Sequence, residues 1–336
     1  MIDLYDPSSD PEPLEWSAFL AAEGLTAAWS YDVLRAVAGD TWAPPLAAVM
    51  KDGGQVCGVA VAVRLGLRRG PVQLDVRLPG YSHGPAWHFA AAVPPQRRRE
   101  LLRAFERAIV GQSRLRSAGV VYRQLDPEAH ALVARRGSIA RPTDGLAVMA
   151  ITWDSVDGWL ASLRKSRRGD LRRQHRLVEA DPGLTVTLGP ARTDLDPRAL
   201  AGLHYEHSRR LRRDSGLRNR LDPRAPLPAE YFAALNRRDD VLVVSYTGED
   251  GRLLAFGTLL DHPATPKIGA WAALPADEGG RKHLYFDHYV RLVRHAIGSG
   301  AKELSAGRSM VEVKQSLGFE PVAMRLLGLP RGIAGR

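Results

Sequence analysis

The chain alternates between short apolar runs that read as strands and longer stretches in which apolar residues recur every three or four positions, as on one face of a helix. The stretch "PLAAVMKDGGQVCGVAVAVRL", Pro45 to Leu65, is two β-branched runs around a Gly-rich turn and predicts a hairpin. The same pattern returns from Val241 to Asp261 as "VLVVSYTGEDGRLLAFGTLLD". The first hairpin is followed by a strand "VQLDVRLPG", a loop "GYSHGPAWH", a helix "RRRELLRAFERAIVGQSR", a strand "AGVVYRQL", a helix "DPEAHALVARRG" and a segment "SIARP". The second is followed by a strand "KIGAWAAL", a loop "PADEGG", a helix "RKHLYFDHYVRLVRHAIGSG", a strand "AKELSAG", a helix "SMVEVKQSLG" and a segment "FEPVAMRLL". Order and approximate length match, so the pattern predicts a duplicated α/β unit, residues 1–150 and 151–336, each a mixed sheet flanked by helices.

A helical insert joins the copies. In "WDSVDGWLASLRKSRRGDLRRQHRLVEADPG" the residues Val156, Trp159, Leu160, Leu163, Leu171 and Leu177 fall near one helical face, with arginines around it. Asp154 or Ser155 is the predicted N-cap and "DPG" the stop, giving one basic helix over about 154–180 that opens the second unit.

A length of 336 residues suits two such units, and 45% hydrophobic content is enough to build their cores. The formal charge of +10 favours anionic partners. Only Lys51, Lys165, Lys267, Lys282, Lys302 and Lys314 are lysines, so codon bias accounts for part of the arginine excess. A lone cysteine, Cys57, excludes an intrachain disulfide framework and a multi-thiolate zinc site, and it reads as a buried small hydrophobe. The acidic, Pro-rich start "MIDLYDPSSDPEPLEW" has no signal-peptide pattern and no later stretch resembles a membrane span, so a soluble cytoplasmic protein with no membrane insertion is expected.

The order hairpin, strand, loop, long helix, strand, helix, strand resembles the acyltransferase fold called GNAT. Two such units with a basic helical insert resemble the Fem family of tRNA-dependent aminoacyl ligases. The resemblance is most specific at "LYFDHYVRLVRHAIGSGAKELSAGRSMVEVKQSLGFEPV", similar to that family's closing pattern ending "K…GF.PV", and at "WLASLRKSRRGDLRRQHRLVE", similar to its basic helix. It implies transfer of an aminoacyl group from aminoacyl-tRNA to an amine of a small-molecule or peptide acceptor, without ATP, cofactor or metal. It also implies that Lys314 is the cation facing the developing oxyanion. In a chain that favours Arg, a lysine here also suits a compact point charge.

The chemistry such a reaction needs has candidates elsewhere. Tyr285, Asp287 and His288 on the long helix, and Arg308 and Glu312 near the last strand, are candidates for proton transfer; the tRNA ribose hydroxyl could equally serve. Arg164, Lys165, Arg167, Arg168, Arg172, Arg173 and Arg176 suit sequence-tolerant phosphate contact, and "SRRLRRDSGLRNR" adds Arg209, Arg210, Arg212, Arg213, Arg218 and Arg220. Tyr81, His83, Trp87 and His88 in "PGYSHGPAWH", with His204, are candidates for acceptor binding. The spacing of His204 and His207, beside Glu206, offers no third metal ligand beyond that carboxylate.

One departure separates the chain from acetyl-CoA-dependent relatives. Where those resemble "RGxGxG/A" and cradle a pyrophosphate, this chain has "ADEGGRK", with Asp277 and Glu278 where an anion would sit, although Gly279 and Gly280 could form a partial nest. An acetyl-CoA-dependent N-acetyltransferase and a noncatalytic RNA-binding module on the same fold are the alternatives. The short, interrupted insert shows no long coiled-coil arm, which favours a small-molecule acceptor in a specialised (antibiotic-type) pathway over a peptidoglycan precursor.

Overall fold

The structure, a computed structural model, describes all residues except 40–42, 67–71, 113–116 and 215–225. The chain divides into unit 1, Met1–Gly145 with Val322–Arg336, and unit 2, Leu146–Pro321. In unit 1 the order is β1 (Ile2–Tyr5), α1 (Leu14–Ala22), α2 (Tyr31–Ala38), β2 (Pro45–Asp52), β3 (Gln55–Gly66), β4 (Val72–Val76), β5 (Trp87–Phe89), α3 (Pro95–Gln112), β6 (Ser117–Leu125), α4 (Pro127–Val133) and the start of β7 (Ile139–Ala150). Unit 2 takes the end of β7, then α5 (Val156–Ser162), α6 (Lys165–Glu179), β8 (Leu184–Pro190), α7 (Pro197–Asp214), α8 (Ala229–Asn236), β9 (Val241–Gly248), β10 (Leu253–Leu260), β11 (Lys267–Ala273), α9 (Leu284–Gly298), β12 (Glu303–Ser305) and α10 (Val311–Gln315). A final strand, β13 (Glu320–Pro330), closes the series.

Both predicted hairpins form. β2 pairs antiparallel with β3 from Pro45↔Val63 to Asp52↔Gln55, and β9 with β10 from Val241↔Leu260 to Thr247↔Leu253. Each is followed by the strand, long helix, strand and short helix that the repeat predicts. The last strand departs from the expected division at residue 150. β13 lies antiparallel to β6, from Arg325↔Leu125 to Pro330↔Gly119, so the residues from Val322 onward complete unit 1. The tail is tied there: buried Glu106 accepts the Gly335 N–H, and Arg107 donates to the Gly335 carbonyl. A long-range ladder of this kind leaves no mark in local periodicity, because the apolar pattern of a strand does not name its partner.

The basic insert is two helices rather than one. Ser155 caps α5, its side chain accepting the Gly158 N–H, but Leu163 and Arg164 adopt extended conformations before α6 starts. The break turns Leu163 into a core shared with Trp159 and Leu160 and resets the register of α6, which buries Leu171 and Val178. Leu177, expected on that face, is 50% exposed. Two residues seven apart, here Leu171 and Val178, stack on one side of a helix, which is the spacing that α6 needs to lie along α9.

In unit 2 the helices take opposite faces of the sheet. Phe256 of β10 meets Phe232 of α8 edge to face with ring centroids 5.6 Å apart, whereas the next residue, Gly257, faces His288 of α9. Consecutive strand residues point to opposite sides, so α8 and α9 are on different faces.

Candidate functional site

The functional candidates of unit 2 gather where two parallel strands part. β12 pairs antiparallel with β7 on one side, from Glu303↔Ala150 to Ser305↔Val148. On the other it is in register with β11 at Lys267↔Ser305, and Lys302 and Glu303 donate to Ala264 and Ser305 to Pro266 ahead of β11. β11 runs on to Ala273 while β12 ends at Ser305. Beyond this fork the chain turns through Gly307 and Met310, both at positive φ, into α10.

Lys314 on α10 reaches back into this turn and is 2% exposed. Its ammonium donates to the backbone carbonyl of Ala306, one residue past the end of β12. Burial lowers its pKa from 10.5 to about 8, because an ammonium loses hydration that one carbonyl replaces only in part. Arg308, half-buried, stands two residues beyond that carbonyl, and Glu312 is exposed on α10. Backbone bonds from Leu317 and Phe319 to the Lys314 carbonyl fix the short helix beneath its side chain.

Tyr285, in the first turn of α9, belongs to an aromatic wall. Its ring lies 5.6 Å from Trp271 of β11 and 5.2 Å from Tyr289, and its hydroxyl is 3.4 Å from that of Tyr289. Tyr289 in turn packs on Phe319, 5.8 Å away. Tyr285 and Lys314 are therefore joined through Tyr289 and Phe319 rather than by direct contact.

Asp287 occupies a different position from the one a proton acceptor needs. It is fully buried and accepts from the Tyr246 hydroxyl at 2.8 Å, from Arg291 Nε at 2.7 Å and from His175 Nδ1. Burial by itself would raise its pKa, but the hydrogen bonds from His175 and Arg291 outweigh it and hold the carboxylate below its usual range. Three donors saturate the group and point it toward α6, so it acts as a strut between α6 and α9. His288 is 1% exposed with neither ring nitrogen hydrogen-bonded, and lies 4.7 Å from the Trp271 ring. Desolvation lowers its pKa from 6.5 to about 3, so it stays a neutral imidazole at ordinary pH.

Three potential ligand groups, His175, Glu179 and Asp287, bring their donor atoms within 4.8 Å of one another. Arg291 donates to both carboxylates of that set, so its guanidinium already supplies the cation. His204 packs against Phe232, 5.7 Å between rings, on α7 rather than at this cluster.

The basic residues of α6 divide by environment. Arg164, Lys165, Arg172, Arg173 and Arg176 are exposed, whereas Arg167 and Arg168 are half-buried. Arg167 sits 5.0 Å above the Phe286 ring and Arg168 donates to the Ala161 carbonyl at 3.2 Å. Arg172 pairs with Asp157 at 2.8 Å and Arg173 with Asp170 at 3.5 Å, exposed contacts that water and salt screen heavily. On α7, Arg209 pairs with Glu206, and Arg210 turns inward to the Ala273 carbonyl at 2.6 Å, where it caps the end of β11. Arg213 is exposed; Arg218 and Arg220 lie outside the described residues, as does the side chain of Arg212.

The Gly-rich turn ahead of α9 is closed on itself. The N–H groups of Glu278 and Gly280 donate to the Pro275 carbonyl and that of Gly279 to Ala276, while Asp277 and Glu278 are exposed beside them. A Cβ on Gly280 would come 2.1 Å from the Leu274 carbonyl oxygen, so the glycine serves a close backbone approach.

The predicted acceptor residues of unit 1 do not form one pocket. Trp87 and His88 are neighbours on β5 and face opposite sides. Trp87 is buried against Tyr122, with centroids 5.2 Å apart, whereas His88 bonds Glu23 at 2.9 Å and meets the edge of Phe19. Tyr81 and His83 do stay together, 5.2 Å between rings, and Gln124 donates to the Tyr81 carbonyl at 3.3 Å. Nearby in sequence, buried Asp75 accepts two contacts from Arg123 Nε at 2.8 and 2.7 Å.

Sequence reasoning missed His175, Trp271 and Arg291. His175 carried a faint signal as the lone imidazole in a run of arginines; the others matter only through their partners across the fold.

No protein-family model matches the chain, and no curated protein sequence does. Solved structures do. L-PGS from Bacillus licheniformis superposes with a TM-score of 0.57 at 14% identity over 97% of this chain and 98% of its own. FemX gives 0.58 at 12% identity over 98% and 97%. A tandem GNAT protein from the clavulanic acid biosynthesis pathway gives 0.54 at 15% identity over 99% of each chain. Together with the duplicated unit described above, these likenesses identify the fold of this chain as that of the tandem GNAT-like and Fem-like proteins.

Proposed function

We propose that the protein is an acyltransferase that moves an aminoacyl group from aminoacyl-tRNA to an amine of a small-molecule or peptide acceptor, forming an amide bond. The ester of an aminoacyl-tRNA is already activated, so the protein must hold the RNA, position the amine and stabilise the oxyanion formed when the amine attacks the carbonyl carbon. The amine loses a proton, the tetrahedral intermediate expels the ribose oxygen, and that oxygen is protonated on leaving. Lys314 is the candidate oxyanion cation; Arg308, two residues past the carbonyl that holds it, and Tyr285, linked to it through Tyr289 and Phe319, are the further candidates. The exposed basic face of α6 is the candidate RNA surface.

The observation that carries the choice of donor is the closed turn before α9. Its Glu278, Gly279 and Gly280 N–H groups are spent on the turn itself, beside two exposed carboxylates, which is a poor cradle for the pyrophosphate of CoA. The parting of β11 and β12, and the likeness to a tandem GNAT protein, support an acetyl-CoA donor as the second reading. Titrating the protein with bulk tRNA and with acetyl-CoA at two salt concentrations separates them. Salt-dependent tRNA binding together with amide formation from aminoacyl-tRNA supports the proposal. Acetyl-CoA binding without tRNA binding overturns it, and tight RNA binding without transfer to any amine points to a noncatalytic RNA-binding module.

The acceptor is proposed to be a small molecule of a specialised pathway rather than a cell-wall peptide, since α5 and α6 are short helices and neither is the start of a long coiled-coil arm. No helix among the described residues is long and apolar enough to cross a membrane, and a cytoplasmic location remains part of this proposal.

A further inference from the structure

A cleft of about 300 Å³ opens between α5, α6 and α9, on the face of unit 2 that α9 covers. Leu160, Leu171 and Val290 form its floor; Arg172, His175, Arg176 and Arg294 form its rim. The three guanidinium groups face one carboxylate, Asp157, whose side chain is 82% exposed and whose pairing with the 49% exposed Arg172 is readily exchanged.

His175 organises this rim. Arg294 approaches its Nε2 at 3.1 Å, and a guanidinium can only donate, so Nε2 accepts and the ring proton resides on Nδ1, which donates to buried Asp287. The imidazole thus aims Arg294 without cancelling its charge. Arg291 is shared by Asp287 and Glu179, so these groups together keep one net negative charge, which the three arginines of the rim still outnumber even with Asp157 added.

We propose that this cleft binds a phosphorylated ligand of nucleotide size, with the phosphate between Arg172, Arg176 and Arg294 and the less polar body against Leu160, Leu171 and Val290. Fork-shaped guanidinium donors match phosphate oxygens, and an aliphatic floor supplies the contact area that separates a nucleotide from inorganic phosphate. The volume is that of a small-ligand site at the lower end of its usual range. The source of the ligand is either one nucleotide of the RNA or a free nucleotide; the first rests on the proposed function, the cleft's affinity does not.

The test is calorimetric titration of the full chain with AMP, inorganic phosphate and adenosine. The variants are Arg176→Ala and Arg294→Ala, with Arg198→Ala on α7 as a control carrying the same change in net charge. Saturable AMP binding is expected, tighter than that of phosphate or adenosine. Each rim variant should weaken it roughly tenfold, the effect of removing one charge-assisted hydrogen bond, and the control should not. Arg176 is exposed, so its variant retains the fold even if Arg294→Ala loosens the rim. Absence of saturable AMP binding, or equal weakening by the control, overturns the proposal.

Competition identifies the source. If AMP displaces bound tRNA and the rim variants weaken both ligands, the occupant is a nucleotide of the RNA. If Arg294→Ala weakens AMP alone while tRNA binding and transfer persist, the occupant is a free nucleotide. If tRNA neither binds nor reacts, the proposed function fails, while the AMP titration still decides the cleft.

Discussion

The Lys314 ammonium is held by the Ala306 carbonyl, which places a buried positive charge one residue past the strand β12 that parts from β11. A cation in this position that stabilises an oxyanion must be protonated to work. We expect kcat/KM for transfer to fall as pH rises through about 8, the value to which burial lowers this lysine. Lys314→Met should reduce transfer at least a hundredfold with tRNA affinity unchanged; full activity in that variant would remove Lys314 from the mechanism. The sign differs for stability: the unfolded lysine holds its proton up to 10.5, so folding gains stability as pH rises from about 8 to 10.5.

His288 gives the opposite end of the pH range. Its pKa falls from 6.5 to about 3 on folding, so the unfolded chain binds the extra proton between those values and stability drops as pH falls through that window. The contribution is at most about 1.4 kcal/mol per pH unit. Urea midpoints measured between pH 7 and pH 4 should fall less steeply in His288→Leu than in the parent chain. An unchanged slope would show that His288 is protonated in the folded state.

Gly257 and His288 are locked together by size. A Cβ at Gly257 would come 2.2 Å from His288 Cε1, and the imidazole is boxed in by Trp271 and Tyr289. Gly257→Ala should cost about 1–3 kcal/mol of overpacking strain. Adding His288→Ala should recover part of that loss, giving a non-additive double-mutant cycle; additive effects would mean the ring moves aside freely.

Asp287 should behave as a structural carboxylate. Asp287→Asn removes the buried carboxylate that His175, Tyr246 and Arg291 share and leaves half-buried Arg291 with only the exposed Glu179, which predicts a loss of about 1–3 kcal/mol in stability. Transfer per folded molecule should survive at low temperature. Loss of turnover with no loss of stability would restore Asp287 as a proton acceptor.

The exposed face of α6 predicts a salt signature. If Arg164, Lys165 and Arg173 each contact an RNA phosphate, changing any one to Ala should make the dependence of log affinity on log salt less steep by about 0.7–0.9. Arg167 and Arg168, which lean on Phe286 and the Ala161 carbonyl, should contribute less to that slope and more to the docking of α6.

How much of this was legible beforehand varies with the range of the interaction. The repeat was plain because a hairpin, a strand period and a helix period are all local patterns, and both copies carry them. The insert was legible as basic and helical, but its break at Leu163 was not: no Pro or Gly marks it, and only the core around Trp159 requires Leu163 to turn inward. Trp87 and His88 looked like one cluster on paper. Alternation along β5 sends them to opposite faces, a consequence visible once the strand is placed.

By itself the sequence determined the element types, their duplication and the basic character of the insert, since propensity, period and charge act over a few residues. Tertiary structure alone decided that the last strand belongs to unit 1, that Asp287 is a saturated strut, and that Arg172, Arg176 and Arg294 meet around one cleft. Those outcomes depend on which distant groups share a desolvated space, where an unpaired charge is costly and a matched one fixes the packing.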